Sequence, residues 1–235
     1  MIKTAIMVDG GFYNKRANYL FGNKSSKDRA SELVTYCMRH LEDEKMGDHK
    51  ERKSLYRIFY YDCPPSEKTI MHPLTRKNID LSKSDQYKWT KEFFEELSKK
   101  RKVALRMGEL LESTAGYLLK PDITKKLCNK TITVDDLKET DFILDIQQKG
   151  VDMRIGLDIA SLAQKRLVDQ IVLIAGDSDF VPAAKHARRE GIDFILDPMW
   201  HTIKPSLNEH IDGLHTCTKK PDVITDKKKP LNIKI

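Results

Sequence analysis

The 235-residue chain has no apolar run approaching the roughly 18 residues needed to cross a bilayer, so no membrane-spanning segment is expected. Its first residues, Met1 to Val8, are too short and too weakly charged for a secretory signal and read instead as a strand. The cysteines Cys37, Cys63, Cys128 and Cys217 lie far apart, with no Cys-x-x-Cys pair. That spacing argues against a zinc site or a disulfide framework, and it points to reduced thiols in the cytoplasm. No glycine loop of the Walker or dinucleotide type is present, and no internal repeat. Gly176-Asp177-Ser178 has no histidine at a recognisable spacing to serve as a hydrolase base. Asp9-Gly10-Gly11 is not the Asp-x-Asp that an aspartyl-nucleophile phosphatase requires.

Charge is plentiful. Charged residues make up 33% of the chain and hydrophobic ones 40%, a balance that fits a globular domain with long solvated loops. The net charge of +7 fits a polyanionic partner, or a soluble protein with a basic tail. The length predicts one domain over residues 1–217, with long loops at 63–85 and 110–149, followed by a patternless basic tail at 218–235.

Thr4–Val8, Ile171–Ala175 and Ile192–Leu196 are short apolar runs of the kind buried on both faces of a parallel sheet. Leu55–Tyr61 and Val103–Met107 complete five expected strands. Apolar residues recur at helical spacing in Lys27–Glu44, Gln86–Lys100 and Asp152–Arg166, and a further helix is expected over Val181–Glu190, stopped by Gly191. Alternating strands and helices predict an α/β fold with a parallel sheet and helices on both faces.

On this architecture Asp9 ends the first strand, and Asp177 and Asp179 follow the fourth. Parallel strands finish at one edge. A crossover helix returning to that sheet begins at the same edge, which brings in Asp152. Taken singly, Asp152 and Asp179 suit helix N-caps, and Asp9 and Asp177 suit turns beside their glycines. Taken together they repel one another unless a cation neutralises them, and their hard oxygen donors suit Mg2+ or Mn2+. Asp158 lies six residues, or about 600° of helix, beyond Asp152 and is placed outside the ligand set.

The motifs V-D-G-G-F-Y-N, K-G-V-D-M-R-I-G-L-D and A-G-D-S-D-F-V-P-A-A resemble the NYN domain family, in the LabA-like branch of the PIN-like nucleases. The likeness runs from about Ile2 to about Leu214. It implies a PIN-like sheet of order 3-2-1-4-5 and a metal-dependent nuclease directed mainly at single-stranded RNA. It assigns metal binding to Asp9, Asp152, Asp177 and Asp179, and a polar catalytic role to Asn14. The expected chemistry is hydrolysis by water activated on one or two ions, with Ser178 donating a hydrogen bond and Asp158 in support.

The loops after the second and third strands should surround that rim. Lys15, Arg16, Lys68, His72, Arg76, Lys77 and Lys149 would then form a basic collar for a phosphate backbone, with RNA favoured over DNA. Tyr13, Tyr61 and Tyr117 are candidates to stack on unpaired bases. The rival reading from another class is a non-catalytic nucleic-acid-binding or regulatory module on the same fold. No membrane partner is expected, and homo-oligomerisation is left open.

Overall fold

The computed structural model describes residues 1–42, 45–46, 49–50 and 52–221. Six parallel strands form the central sheet: β1 (Ile2–Asp9), β2 (Lys53–Asp62), β3 (Val103–Met107), β4 (Gln170–Ile174), β5 (Asp193–Asp197) and β6 (Gly213–Leu214). Their order across the sheet is β3-β2-β1-β4-β5-β6. This is the expected 3-2-1-4-5 arrangement with a two-residue strand added at one edge. Chain order reverses between β1 and its neighbours β2 and β4, so the ends of these strands form the switch-point crevice.

Strand alternation builds two cores. Ala5 and Met7 of β1, Phe59 and Tyr61 of β2, and Ile171 and Leu173 of β4 face helices α5 (Val151–Gln164) and α6 (Val181–Arg189). Ile6, Val8, Ile58, Tyr60, Val172 and Ile174 face the other way. There they meet α1 (Gly10–Phe21), α2 (Ser26–Arg39) and α3 (Asp85–Ser98). A fully buried strand residue of this size contributes about 1.5–3 kcal/mol, so β1 and β4 are anchored from both sides. The helices α2, α3, α5 and α6 match four expected segments to within a few residues. Of the expected helix Lys27–Glu44, Asp43 and Glu44 lie outside the described residues, as do residues 222–235 of the expected tail.

The two stretches expected as irregular are folded insertions. Thr69–Met71 pairs antiparallel with Asn78–Asp80, and Gly116–Leu119 with Phe142–Asp145, the latter two enclosing α4 (Pro121–Cys128). These strands are only three or four residues long and mostly half-buried, so they leave no periodicity to read. His72 joins the insertions. It is 2% exposed, its ring lies 4.6 Å from Tyr117 and 5.0 Å from Phe142, and its Nδ1 accepts from the Leu74 and Thr75 amides.

α1 has no counterpart among the expected helices, because paired glycines suggest a turn. Close approach explains the first of them. A Cβ on Gly10 would sit 2.5 Å from Tyr60 Cζ and 2.7 Å from Asp62 Oδ2, whereas one on Gly11 would meet nothing nearer than 3.6 Å. Gly10→Ala is therefore expected to lose about 1–3 kcal/mol to overpacking, more than its helix propensity returns. Gly11→Ala is expected to be neutral, or more stable by up to about 1 kcal/mol. Urea unfolding of the two variants beside the parent checks both; equal stability of the two would remove the steric explanation.

Candidate functional site

The edge where β1, β2 and β4 end carries a set of carboxylates. Asp9, at the last position of β1, caps α1 by accepting from the Phe12 amide at 3.0 Å. Asp177, just beyond β4, accepts from the Asp179 amide at 3.1 Å and caps the single turn Ser178–Phe180. Asp152 stands in the first turn of α5, where the N-cap position belongs to Gly150 in left-handed conformation. The expected division of labour is thus reversed: Asp9 and Asp177 cap helices, while Asp152 and Asp179 leave their side chains uncommitted among the described residues. Asp152 still benefits from the positive end of the α5 dipole.

A fifth carboxylate belongs with them. Asp62 ends β2 and is 8% exposed, and it accepts from the Cys63 amide (2.8 Å), Tyr60 Oη (3.1 Å) and Gln148 Nε2 (3.2 Å). Tyr60 Oη in turn accepts from Asn14 Nδ2 at 2.9 Å, which leaves Asn14 Oδ1 buried with no hydrogen-bond partner among the described residues. The rule that placed Asp9, a carboxylate at the end of a parallel strand, also selects Asp62. An expected β2 that stops at Tyr61 ends one residue short of it. Gln148 reaches Asp62 because the short ladder Glu109–Leu110 with Gln148–Lys149 lies against the start of α5.

These groups sense one another. Burial, with the charges of Asp152 and Asp62, pushes the Asp9 carboxyl up to about 6 against the opposing pull of the Phe12 amide. Asp152 is raised by burial and by Asp177 and Asp179. Asp62 is raised by burial, against the hydrogen bonds from Cys63, Tyr60 and Gln148. Among the described residues no lysine or arginine forms an ion pair with any of the five. Nor do any three of them bring one oxygen each within 4.8 Å of one another. The donor set therefore suits a hydrated hard cation better than a bare one, as Mg2+ keeps several of its waters when bound.

The other expected residues scatter. Asp158 accepts from Tyr61 Oη at 2.9 Å and pairs with Arg106 at 3.1 Å, which ties α5 to β2 and β3. Ser178 Oγ lies 3.0 Å from Lys204 Nζ. Arg16 donates through Nε and Nη2 to the Met199 carbonyl at 3.1 and 2.7 Å, so its guanidinium holds the segment after β5. Lys15, Arg76, Lys77 and Lys149 are exposed, and Lys68 Nζ donates to the Glu112 carbonyl. Tyr13 and Tyr61, expected as stacking candidates, are fully buried and hold the two cores instead. A tyrosine on an α/β strand or on an inward helix face contributes its ring to the core, and its sequence gives no sign of which way it points.

The sequence profile of the NYN domain matches residues 77–210, more than half of the chain. The chain belongs to the NYN domain family. NYN domains are PIN-like and generally nuclease-like, and those nucleases generally depend on divalent metal. No curated protein matches the chain. A solved structure, a protein of unknown function from Vibrio parahaemolyticus, is similar at 14% identity over 91% of both chains, with a TM-score of 0.42.

In the metal-free domain the raised Asp9 carboxyl sets a pH dependence. Its folded value of about 6 exceeds the ordinary 3.8, so the native state holds this proton more tightly than the unfolded chain does. The stability tied to protonated Asp9 is complete below the ordinary value and is lost as pH rises through about 6. Asp9→Asn should therefore gain stability over wild type as pH rises from 4 to 7, by on the order of 2 kcal/mol. Chemical denaturation across that range in the presence of a chelator measures it, and a difference that does not vary with pH would contradict the assignment.

Proposed function

We propose that this NYN domain hydrolyses phosphodiester bonds in single-stranded RNA, using Mg2+ or Mn2+ held by Asp9, Asp152, Asp177 and Asp179. The reading is carried by the uncompensated carboxylates at the switch-point edge. Groups that burial and like charge hold above their ordinary range, with no basic partner among the described residues, are stabilised by a bound cation. When bound, the ion supplies Lewis-acid activation of water and stabilises charge that builds on the phosphate.

The protein's own groups do the positioning. The Phe12 and Asp179 amides fix one oxygen each of Asp9 and Asp177, so the free oxygens are aimed before any ligand arrives. Asp62 adds negative potential at Asp9 and is itself held by Tyr60 and Gln148. Asn14 Oδ1, buried and unpaired, accepts from a water or hydroxyl brought to the rim. Lys15, Lys68, Arg76, Lys77 and Lys149 supply a basic collar around this acidic centre. Arg16 and His72 are spent on internal contacts and are left out of it. We place the activity in the cytoplasm.

Incubation of the purified protein with labelled single-stranded RNA and Mn2+ or Mg2+ tests the proposal. Asp177→Asn and Asp152→Asn should each lower kcat/KM on the order of 100-fold, about 2.7 kcal/mol of transition-state stabilisation. Equal cleavage by wild type and variants would refute it, as would the absence of cleavage of any RNA or DNA. RNA binding without turnover would favour the non-catalytic module, in which the separated carboxylate oxygens never close on an ion.

A further inference from the structure

Away from the carboxylate edge, a second set of donors converges behind the end of β5. His40 caps the C-terminus of α2, and His215 and Cys217 follow β6. One donor atom from each of the three lies within 4.8 Å of the others. The His40 and His215 rings stand edge to face at 5.3 Å. Asp197, the last residue of β5 and fully buried, holds the arrangement together. Its Oδ2 accepts from Tyr36 Oη at 2.5 Å and meets His40 Nε2 at 2.9 Å. Its Oδ1 accepts from the Met199 amide at 2.8 Å and from Thr216 Oγ1 at 2.9 Å, which fixes the residue between His215 and Cys217.

One observation sets this cluster apart from an ordinary buried histidine. His40 is 1% exposed, and its Nδ1 has no hydrogen-bond partner among the described residues. With Nε2 engaged by Asp197, Nδ1 is the ring nitrogen that remains for a ligand. A buried ring nitrogen without a partner is costly in either protonation state, as a stranded N–H or as a stranded lone pair. A carboxylate on one imidazole nitrogen with the other left open is the arrangement that supports metal-bound histidines, since it fixes the tautomer and raises ligand basicity.

We propose that His40, His215 and Cys217 bind Zn2+, with Asp197 orienting His40. Two imidazoles and a thiolate are zinc's preferred donors, unlike the all-oxygen set at the other site. Zinc–ligand bonds of about 2.0–2.3 Å put tetrahedral donors roughly 3.3–3.6 Å apart, so the three atoms need to close by at most about 1.5 Å. Charge also balances: a divalent ion offsets the Cys217 thiolate and the Asp197 carboxylate, which has no lysine or arginine partner among the described residues. The ion would fasten the segment after β6 to the end of α2, over the turn at Met199 whose carbonyl receives Arg16 from α1. The wide sequence spacing of Cys217 from the other cysteines had argued against zinc. These ligands come instead from opposite ends of the chain and meet only through the sheet.

Elemental analysis of the full chain, purified without chelator, is expected to find one equivalent of zinc. After chelation and reloading with Co2+, the protein should show visible tetrahedral absorption and a thiolate-to-cobalt charge-transfer band. Cys217→Ser should remove that band and the zinc, His215→Asn should lower zinc affinity at least about 10-fold, and Asp177→Asn and Cys128→Ser should change neither. Folded wild-type protein that holds no zinc and gives no cobalt band would overturn the proposal. So would a Cys217→Ser protein with unchanged zinc and an unchanged spectrum. If the histidine variant fails to fold, the wild-type spectrum and Cys217→Ser still decide. None of these readouts depends on nuclease activity, so this site and the carboxylate site stand or fall separately.

Discussion

Like charges gathered at one end of a parallel sheet are the constraint around which this domain is arranged. β1, β2 and β4 each end at or beside a carboxylate, and the returning helix α5 brings a further one to the same edge. Water alone screens such a group poorly once it is partly buried, and burial is the main reason that Asp9, Asp62 and Asp152 are all held above the ordinary carboxylate range. A fold that only needed stability would place a lysine among them. This one instead uses neutral donors: amides of Phe12, Cys63 and Asp179, the hydroxyl of Tyr60 and the amide of Gln148. Neutral donors hold the oxygens in place without discharging them, so their mutual repulsion is retained.

That choice shapes the neighbouring backbone. Tyr60 is fully buried and lies so close to the start of α1 that only glycine fits at position 10. Its hydroxyl is the middle link of the chain Asn14–Tyr60–Asp62, which couples the first helix to the end of the second strand. A polar chain of this kind is stable only when its members are satisfied, and Asn14 Oδ1 is the one atom in it that is not. In the proposed reading, this unsatisfied atom is where a ligand's hydrogen-bond donor would be received.

The insertions contribute differently. They are short ladders rather than open loops, and His72 closes one onto the other through Tyr117 and Phe142. The ladder of Gln148 and Lys149 with Glu109 and Leu110 runs directly into α5, so the insertion also sets the position of Asp152. Exposed lysines and Arg76 are thus carried on folded supports, whereas His72 is drawn inside the insertions and Arg16 is spent on the Met199 carbonyl.

The sequence by itself determined the main sheet and four of the carboxylates. Apolar runs such as Ile171–Ala175 can be buried only on both faces, and strand polarity then brings Asp9, Asp152, Asp177 and Asp179 to one edge. Asp62 was within reach of the same rule but fell one residue past the expected strand end. What the sequence left open is how each side chain is used. Whether Asp9 or Asp152 caps a helix depends on where the first turn begins, and the left-handed Gly150 moves that start for α5. Whether Tyr13 and Arg16 meet solvent depends on which face of α1 turns inward. The meeting of His40 with His215 and Cys217 depends on a register between chain segments about 175 residues apart in sequence. Local pattern encodes burial and direction along the chain; contacts of that length exist only once the sheet has ordered its strands, and tertiary structure alone decides them.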